Sequence, residues 1–117
     1  QPREAYTVNE AANLALKLQR FEQARELALE LLELARTGYL GWMLGNAQYD
    51  GRRILGLIAL AQGDVAGAER QLLESGRTVG SPQLNSFGPE LDLANALLQL
   101  GRTDAVIEFL WLCERFW

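Results

Sequence analysis

The chain of 117 residues contains no histidine and only one cysteine, Cys113. Histidine is the commonest general base and metal ligand, and it activates the nucleophile of many hydrolases. Without it, Cys113 has no neighbour to ionise its thiol, and a single cysteine forms no disulfide within the chain. We therefore predict that the protein is not an enzyme and binds neither a metal ion nor a cofactor. A hydrolase that uses carboxylates alone stays open, but no paired-acid signature argues for it.

The chain also lacks clustered positive charge and long apolar runs. Its 11 basic and 15 acidic residues are interspersed, and Lys17 is its single lysine. Nucleic-acid binding requires clustered positive charge, and a membrane span requires about 20 consecutive apolar residues. The sequence therefore predicts neither a nucleic-acid partner nor a membrane protein, and we expect a cytoplasmic location. Because the first residue is Gln1 rather than methionine, a removed N-terminal signal or anchor stays open, as does a longer parent protein.

The chain does contain a sequence motif that recurs three times, in residues 18–24, 62–68 and 100–106. Each copy joins the end of one helical pattern to a short polar turn and then to a small residue in the next pattern. Apolar residues on both sides recur every three or four positions, which is typical of amphipathic helices. The sequence therefore predicts an all-α fold of about six helices, in which three antiparallel pairs stack as a short solenoid. One domain, 1–117, would hold repeat units at roughly 5–36, 42–76 and 89–117.

This motif resembles the tetratricopeptide repeat (TPR), in which a Gly-Asp type of turn precedes an aromatic residue. The turn is present as Gly63-Asp64, and the aromatic residue is present only as Phe21. Equivalent positions are 44 and then 38 residues apart, against the 34 usual in that family. No unit carries the family's early tryptophan or closing proline. The small residues that match the family's close helix contacts are Ala12, Ala24, Gly56, Ala68, Ala94 and Val106.

The resemblance extends over nearly all of the chain, and the later units are also similar to uncharacterised bacterial TPR-like proteins. It implies a non-enzymatic module for protein–protein interaction or scaffolding, in which the first helix of each pair lines a concave groove that holds a protein or peptide. The groove residues implied by this register are Asn9, Asn13, Arg53, Leu57 and Asn95. Asparagine can pair with a peptide backbone, and arginine can bind a carboxylate through two hydrogen bonds. A role of the asparagines as merely solvated side chains stays open.

Two irregular connections suggest an alternative function. The first contains Tyr39, Trp42 and Tyr49, and the second contains Leu84 and Phe87 within a Gly- and Pro-bounded loop. Binding pockets are mostly apolar with a few placed polar groups. A small-ligand sensor with a pocket built from Trp42, Tyr49, Leu84 and Phe87 is therefore the alternative hypothesis. The competing structural interpretation is that the first connection packs on neighbouring helices and the second is a strap between repeats.

The C-terminal segment, residues 104–117, is rich in apolar side chains on every side. We expect Val106, Leu110 and Cys113 to pack against the preceding helix. A helix that is apolar all round is normally covered on more than one side, and no polar capping helix follows it. The sequence therefore predicts a two-fold homodimer, with contact to a further C-terminal segment as the alternative. The predicted dimer face consists of Ile107, Phe109, Trp111, Phe116 and Trp117.

Overall fold

The described part of the chain, residues 4–37 and 40–117 of the computed structural model, is built from helices and contains no strand. This confirms the prediction of an all-α fold with about six helices. The additional helix is α5, which is six residues long and lies in the second irregular connection. A 3₁₀ turn, Gly41–Met43, leads into α3. The helices are α1 (Ala5–Lys17), α2 (Phe21–Thr37), α3 (Leu44–Ala61), α4 (Val65–Gly76), α5 (Pro82–Phe87), α6 (Asp92–Gln99) and α7 (Thr103–Cys113).

The three recurring turns share one backbone geometry. Gln19, Gly63 and Gly101 all have a left-handed conformation, with φ of 60°, 80° and 80°. In each turn the amide of the following residue donates to a carbonyl five positions earlier, as Arg20 does to Ala15 at 2.9 Å. Because the left-handed residue also donates to the carbonyl three positions before it, each turn is a Schellman motif. The recurring sequence motif therefore encodes the same turn three times, in which one helix ends and its antiparallel partner begins.

Helix α3 lies between two hydrophobic clusters and contributes to both. Ile54 and Ile58 pack with α1 and α2, whereas Tyr49 packs with α4, α6 and α7. Gly56 lies where α3 meets α4 and α6, and a Cβ there would overlap a side-chain methyl of Leu93. Because the space is occupied by a neighbouring helix, glycine at this position permits close packing that compensates for its low helix propensity.

The connection after α4 is a packed segment, residues 78–88, which we call the strap. The Thr78 hydroxyl donates to the Gly45 carbonyl at 2.7 Å, and the Val79 amide donates to Gln48 Oε1 at 2.9 Å. The backbone of Gly80 lies so close to Gly45 that a Cβ on Gly45 would overlap the Gly80 carbonyl. The strap is thereby fixed to the first turns of α3, as the structural interpretation of this connection predicted.

Candidate functional site

Among the predicted groove residues, Arg53 is a buried connector between helices. Its side chain is 5% exposed, and its guanidinium donates to Asn13 Oδ1 at 2.8 Å, Asp92 Oδ2 at 2.8 Å and Asp50 Oδ1 at 3.3 Å. These contacts join α1, α3 and α6, the first helices of the three pairs. Burial raises the pKa of the Asp50 carboxyl, and the adjacent Arg53 opposes that rise. Arg53 is thus not free to bind a partner's carboxylate, which corrects the role predicted for it.

The side of α1, α3 and α6 that carries Arg53 also carries the other predicted groove residues, and we call it the inner-helix face. Those residues are Asn9, Asn13, Leu57 and Asn95. The Asn13 amide donates to the Asn9 backbone carbonyl at 2.9 Å, so both asparagines belong to the same internal network as Arg53. Leu57 is half-buried, and Asn95 on α6 is exposed. The predicted groove residues Asn9, Asn13 and Arg53 are therefore engaged in contacts within the chain, and Asn95 is the exposed member of the predicted set.

The four residues predicted to form a ligand pocket do not surround a common space. Tyr49 is 2% exposed, donates its hydroxyl hydrogen to the Glu90 carbonyl, and packs against Phe109 with ring centroids 6.3 Å apart. Burial raises the pKa of the Tyr49 hydroxyl far above its ordinary value. Leu84 is buried in the same cluster as Tyr49, whereas Trp42 and Phe87 are exposed. The pocket is therefore wrong as predicted, and Tyr39 lies outside the described residues.

An open groove of about 560 Å³ lies between α2 and α4, above α3. Its charged rims are largely neutralised within the chain. Arg36 pairs with Glu33 on α2, and Arg77 pairs with Glu74 at 2.9 Å on α4. A further guanidinium that lines the groove, Arg52 on α3, donates to Gln71 Oε1 at 3.3 Å, so positive charge is not concentrated on either rim.

The outward face of α7 carries several large exposed apolar side chains. Ile107, Leu110 and Trp111 are 48%, 45% and 65% exposed, and with Glu114 they line a shallow hollow of about 260 Å³. We call these four residues the α7 stripe. Leu110 and Trp111 each lie three or four residues from both Ile107 and Glu114, so the four residues share one side of the helix. Three of the four members are apolar, and the only charged one is Glu114 at the C-terminal end.

Two members of the predicted dimer face are placed differently from the prediction. Phe109 is fully buried with Val106 and Cys113, because these three occupy the side of α7 that packs toward α4 and α6. The prediction that Phe109 faces a partner is wrong, and Leu110, predicted to face inward, is exposed. Phe116 is half-buried and packs against the second cluster.

The end of the chain also holds the strap in place. A Cβ on Gly80 would meet the Phe116 side chain, and a Cβ on Gly88 would meet the indole of Trp117. The Arg115 guanidinium donates to the Gly76 carbonyl at 2.8 Å. Trp117 nevertheless remains half-exposed beside the C-terminal end of the α7 stripe. The residues after α7 therefore pack against the rest of the fold and also leave part of Trp117 exposed, a combination that their sequence did not reveal.

Two further findings concern reactive groups and membranes. Burial raises the pKa of the Cys113 thiol to about 11, so this cysteine is un-ionised at neutral pH. Across residues 4–37 and 40–117, no three His, Cys, Asp or Glu side chains are grouped so that they could hold a metal ion. Within the same ranges, every helix is too short or too polar to cross a bilayer.

Comparison with known proteins found no matching family model, no matching curated protein and no matching solved structure. The resemblance to the TPR family thus depends on the residues quoted above and stays a prediction.

Proposed function

We propose that this protein is a non-enzymatic protein-interaction module and that the α7 stripe is its main interaction surface. The observation that carries the proposal is the outward exposure of Ile107, Leu110 and Trp111 on one helix face. Contiguous exposed apolar surface is uncommon on monomeric proteins and is a feature of protein interaction sites. Exposed tryptophan is also among the residues that contribute most to binding energy at interfaces.

A comparison within the chain supports this assignment. Helix α2, the second helix of the first pair, exposes Glu22, Glu26, Glu33 and Arg36, and Leu29 is its one large exposed apolar side chain. Helix α7 is the second helix of the third pair, and it exposes three large apolar side chains, Ile107, Leu110 and Trp111, beside the acidic Asp104 and Glu108. Both helices bury one side against the rest of the fold, so packing within the chain does not require the difference. A partner that covers α7 accounts for it.

The shape of the stripe favours a protein over a small molecule. Its hollow of about 260 Å³ is smaller than typical ligand pockets of about 300–1,000 Å³, and it is open on the solvent side. A small molecule there would keep much of its surface in water, whereas an apolar helix face could cover the whole stripe. The accessible part of the inner-helix face, around Asn95, is a second candidate surface for a peptide.

The test compares Trp111→Asp with Trp42→Asp, a matched control because Trp42 is similarly exposed but lies outside the α7 stripe. Self-association is measured by sedimentation velocity over a range of concentrations, and capture of other proteins is measured by selection from a displayed peptide library. We expect at least one form of binding that Trp111→Asp abolishes and Trp42→Asp leaves unchanged. The absence of both forms of binding, or equal loss in both variants, would refute the proposed function.

A further inference from the structure

We propose that the α7 stripe is occupied by a second copy of the chain, whose own α7 packs against it in the antiparallel direction. A two-fold axis would pass near Leu110 and Trp111. This inference depends on the proposed function, because it names the partner of the same surface. It follows from the area of exposed apolar surface, the spacing of the residues along α7 and the position of the single charged group.

The exposed apolar area is large enough for a dimer. The Trp117 amide donates to the Cys113 carbonyl at 2.9 Å, which prolongs the last turn of α7, and the Trp117 ring lies against Gly88 beside the exposed Phe87. With the three apolar members of the stripe, these side chains expose on the order of 650 Å² per copy. A symmetric pairing that covered all of these side chains completely would bury about twice that area, at the lower end of the range of about 1,200–2,000 Å² for specific interfaces.

The spacing of the outward residues is suited to pairing with another helix. Ile107 and Leu110 in α7, and Glu114 and Trp117 after its last residue, Cys113, are spaced at intervals of three, four and three residues. This alternation of three and four is the spacing of a coiled-coil seam, in which side chains of one helix fit between those of its partner. A short two-helix contact of this kind extends over about 16 Å, the length of an eleven-residue helix.

Glu114 determines the relative direction of the two helices. In a parallel pair the two Glu114 carboxylates would lie side by side next to apolar side chains, where like charges repel and lose water. In an antiparallel pair centred on Leu110 and Trp111, each Glu114 lies across from the partner's Ile107. The two carboxylates are then about seven residues, or ~10 Å, apart along the axis. The opposed helix dipoles also favour the antiparallel arrangement.

Engineered cysteines test this geometry directly. Cys113 is buried and un-ionised at neutral pH, so it does not compete with an exposed cysteine. Ile107→Cys and Glu114→Cys proteins, carrying different tags, are mixed and oxidised. We expect the mixed disulfide between positions 107 and 114 to exceed either symmetric disulfide at least tenfold. A dominant disulfide between two Glu114→Cys chains would show parallel packing and overturn the inference.

Sedimentation equilibrium separates this inference from the proposed function. We expect a dimer whose dissociation constant rises at least about 30-fold in Trp111→Asp, as for an interface hot spot, and changes less than about twofold in Trp42→Asp. Ile107→Glu serves as a second variant, and far-UV circular dichroism checks that each variant is folded. A dimer insensitive to both stripe variants overturns the inference. A monomer that captures a peptide through the α7 stripe overturns the inference alone, whereas a monomer that captures nothing overturns the proposed function too.

Discussion

The three Schellman turns provide an internal test of the backbone argument, because one of them has glutamine where the other two have glycine. Gln19 has a φ of 60°, a conformation that costs a residue with a Cβ about 1–2 kcal/mol. Replacing it with glycine removes that strain, but the greater conformational entropy of the unfolded chain costs about 0.4–1 kcal/mol of stability. We therefore expect Gln19→Gly to stabilise the protein by about 0.5–1 kcal/mol.

The reverse substitution at the equivalent turn is the matched control. Gly63 has a φ of 80°, and a Cβ there would have no heavy atom within 4 Å, so Gly63→Ala changes backbone strain without changing packing. We expect a loss of about 1 kcal/mol, and the same loss for Gly101→Ala. Urea unfolding followed by circular dichroism at constant protein concentration measures all three. If Gln19→Gly destabilises the protein, or has the same sign as Gly63→Ala, the assignment of strain to these turns is wrong.

Three further predictions follow from the packing and the buried groups. Gly45→Ala should destabilise the protein by about 3 kcal/mol or more in the same unfolding assay, because the alanine Cβ would displace the strap backbone at Gly80. A loss below about 1 kcal/mol would contradict the close approach of the Gly45 and Gly80 backbones. Arg53→Met should lower the free energy of unfolding by about 1–3 kcal/mol. Arg52→Met is the control, because the Arg52 side chain makes one 3.3 Å contact with Gln71, and it should cost about 0.5 kcal/mol or less. Equal losses in the two variants would refute the role of Arg53 as a connector between helices. Because burial raises the pKa of the Cys113 thiol from 9.0 to about 11, its contribution to stability is present below pH 9 and is lost as the pH rises toward 11. Burial also raises the pKa of the Tyr49 hydroxyl from 10.0, so the wild-type protein and Cys113→Ala should both lose stability above pH 10. Between pH 9 and pH 10 the unfolding free energy should fall in the wild type and much less in Cys113→Ala, and an identical decline in that range would refute the assignment.

The helix pairs and the turns could be predicted because their signals are local. A helix that ends with one residue in the left-handed conformation is encoded by a few adjacent residues, and so is the three- and four-residue spacing of apolar side chains. Helix α5 also had a local signal, since Ser81 precedes Pro82 and its hydroxyl accepts the Leu84 amide at 3.0 Å. Serine before proline is a common helix start, but a six-residue helix is too short to show a periodic pattern.

The roles of Arg53 and Phe109 could not be predicted for two different reasons. Arg53 and Asp50 are three residues apart, which is a local signal, but Asn13 and Asp92 are about 40 positions away along the chain. Only the stacking of α1, α3 and α6 brings these groups together. In α7 nearly every position is apolar, so the sequence does not distinguish the buried side from the exposed side. That choice depends on how α7 packs against Gly76 of α4, where a Cβ would lie 3.1 Å from the Leu112 Cβ.

The two sides of α7 separate the requirements of folding from those of binding. Val106, Phe109 and Cys113 are buried and supply core contacts, while Ile107 and Trp111 are exposed and contribute little to the core. A polar residue at either exposed position would therefore leave the fold of a monomer intact and improve its solubility. Packing within a single chain does not require their apolar character. Another protein that covers the outer side of α7, as proposed above, accounts for it, and the positions of the stripe residues, which are symmetric about Leu110 and Trp111, favour a second copy as that protein.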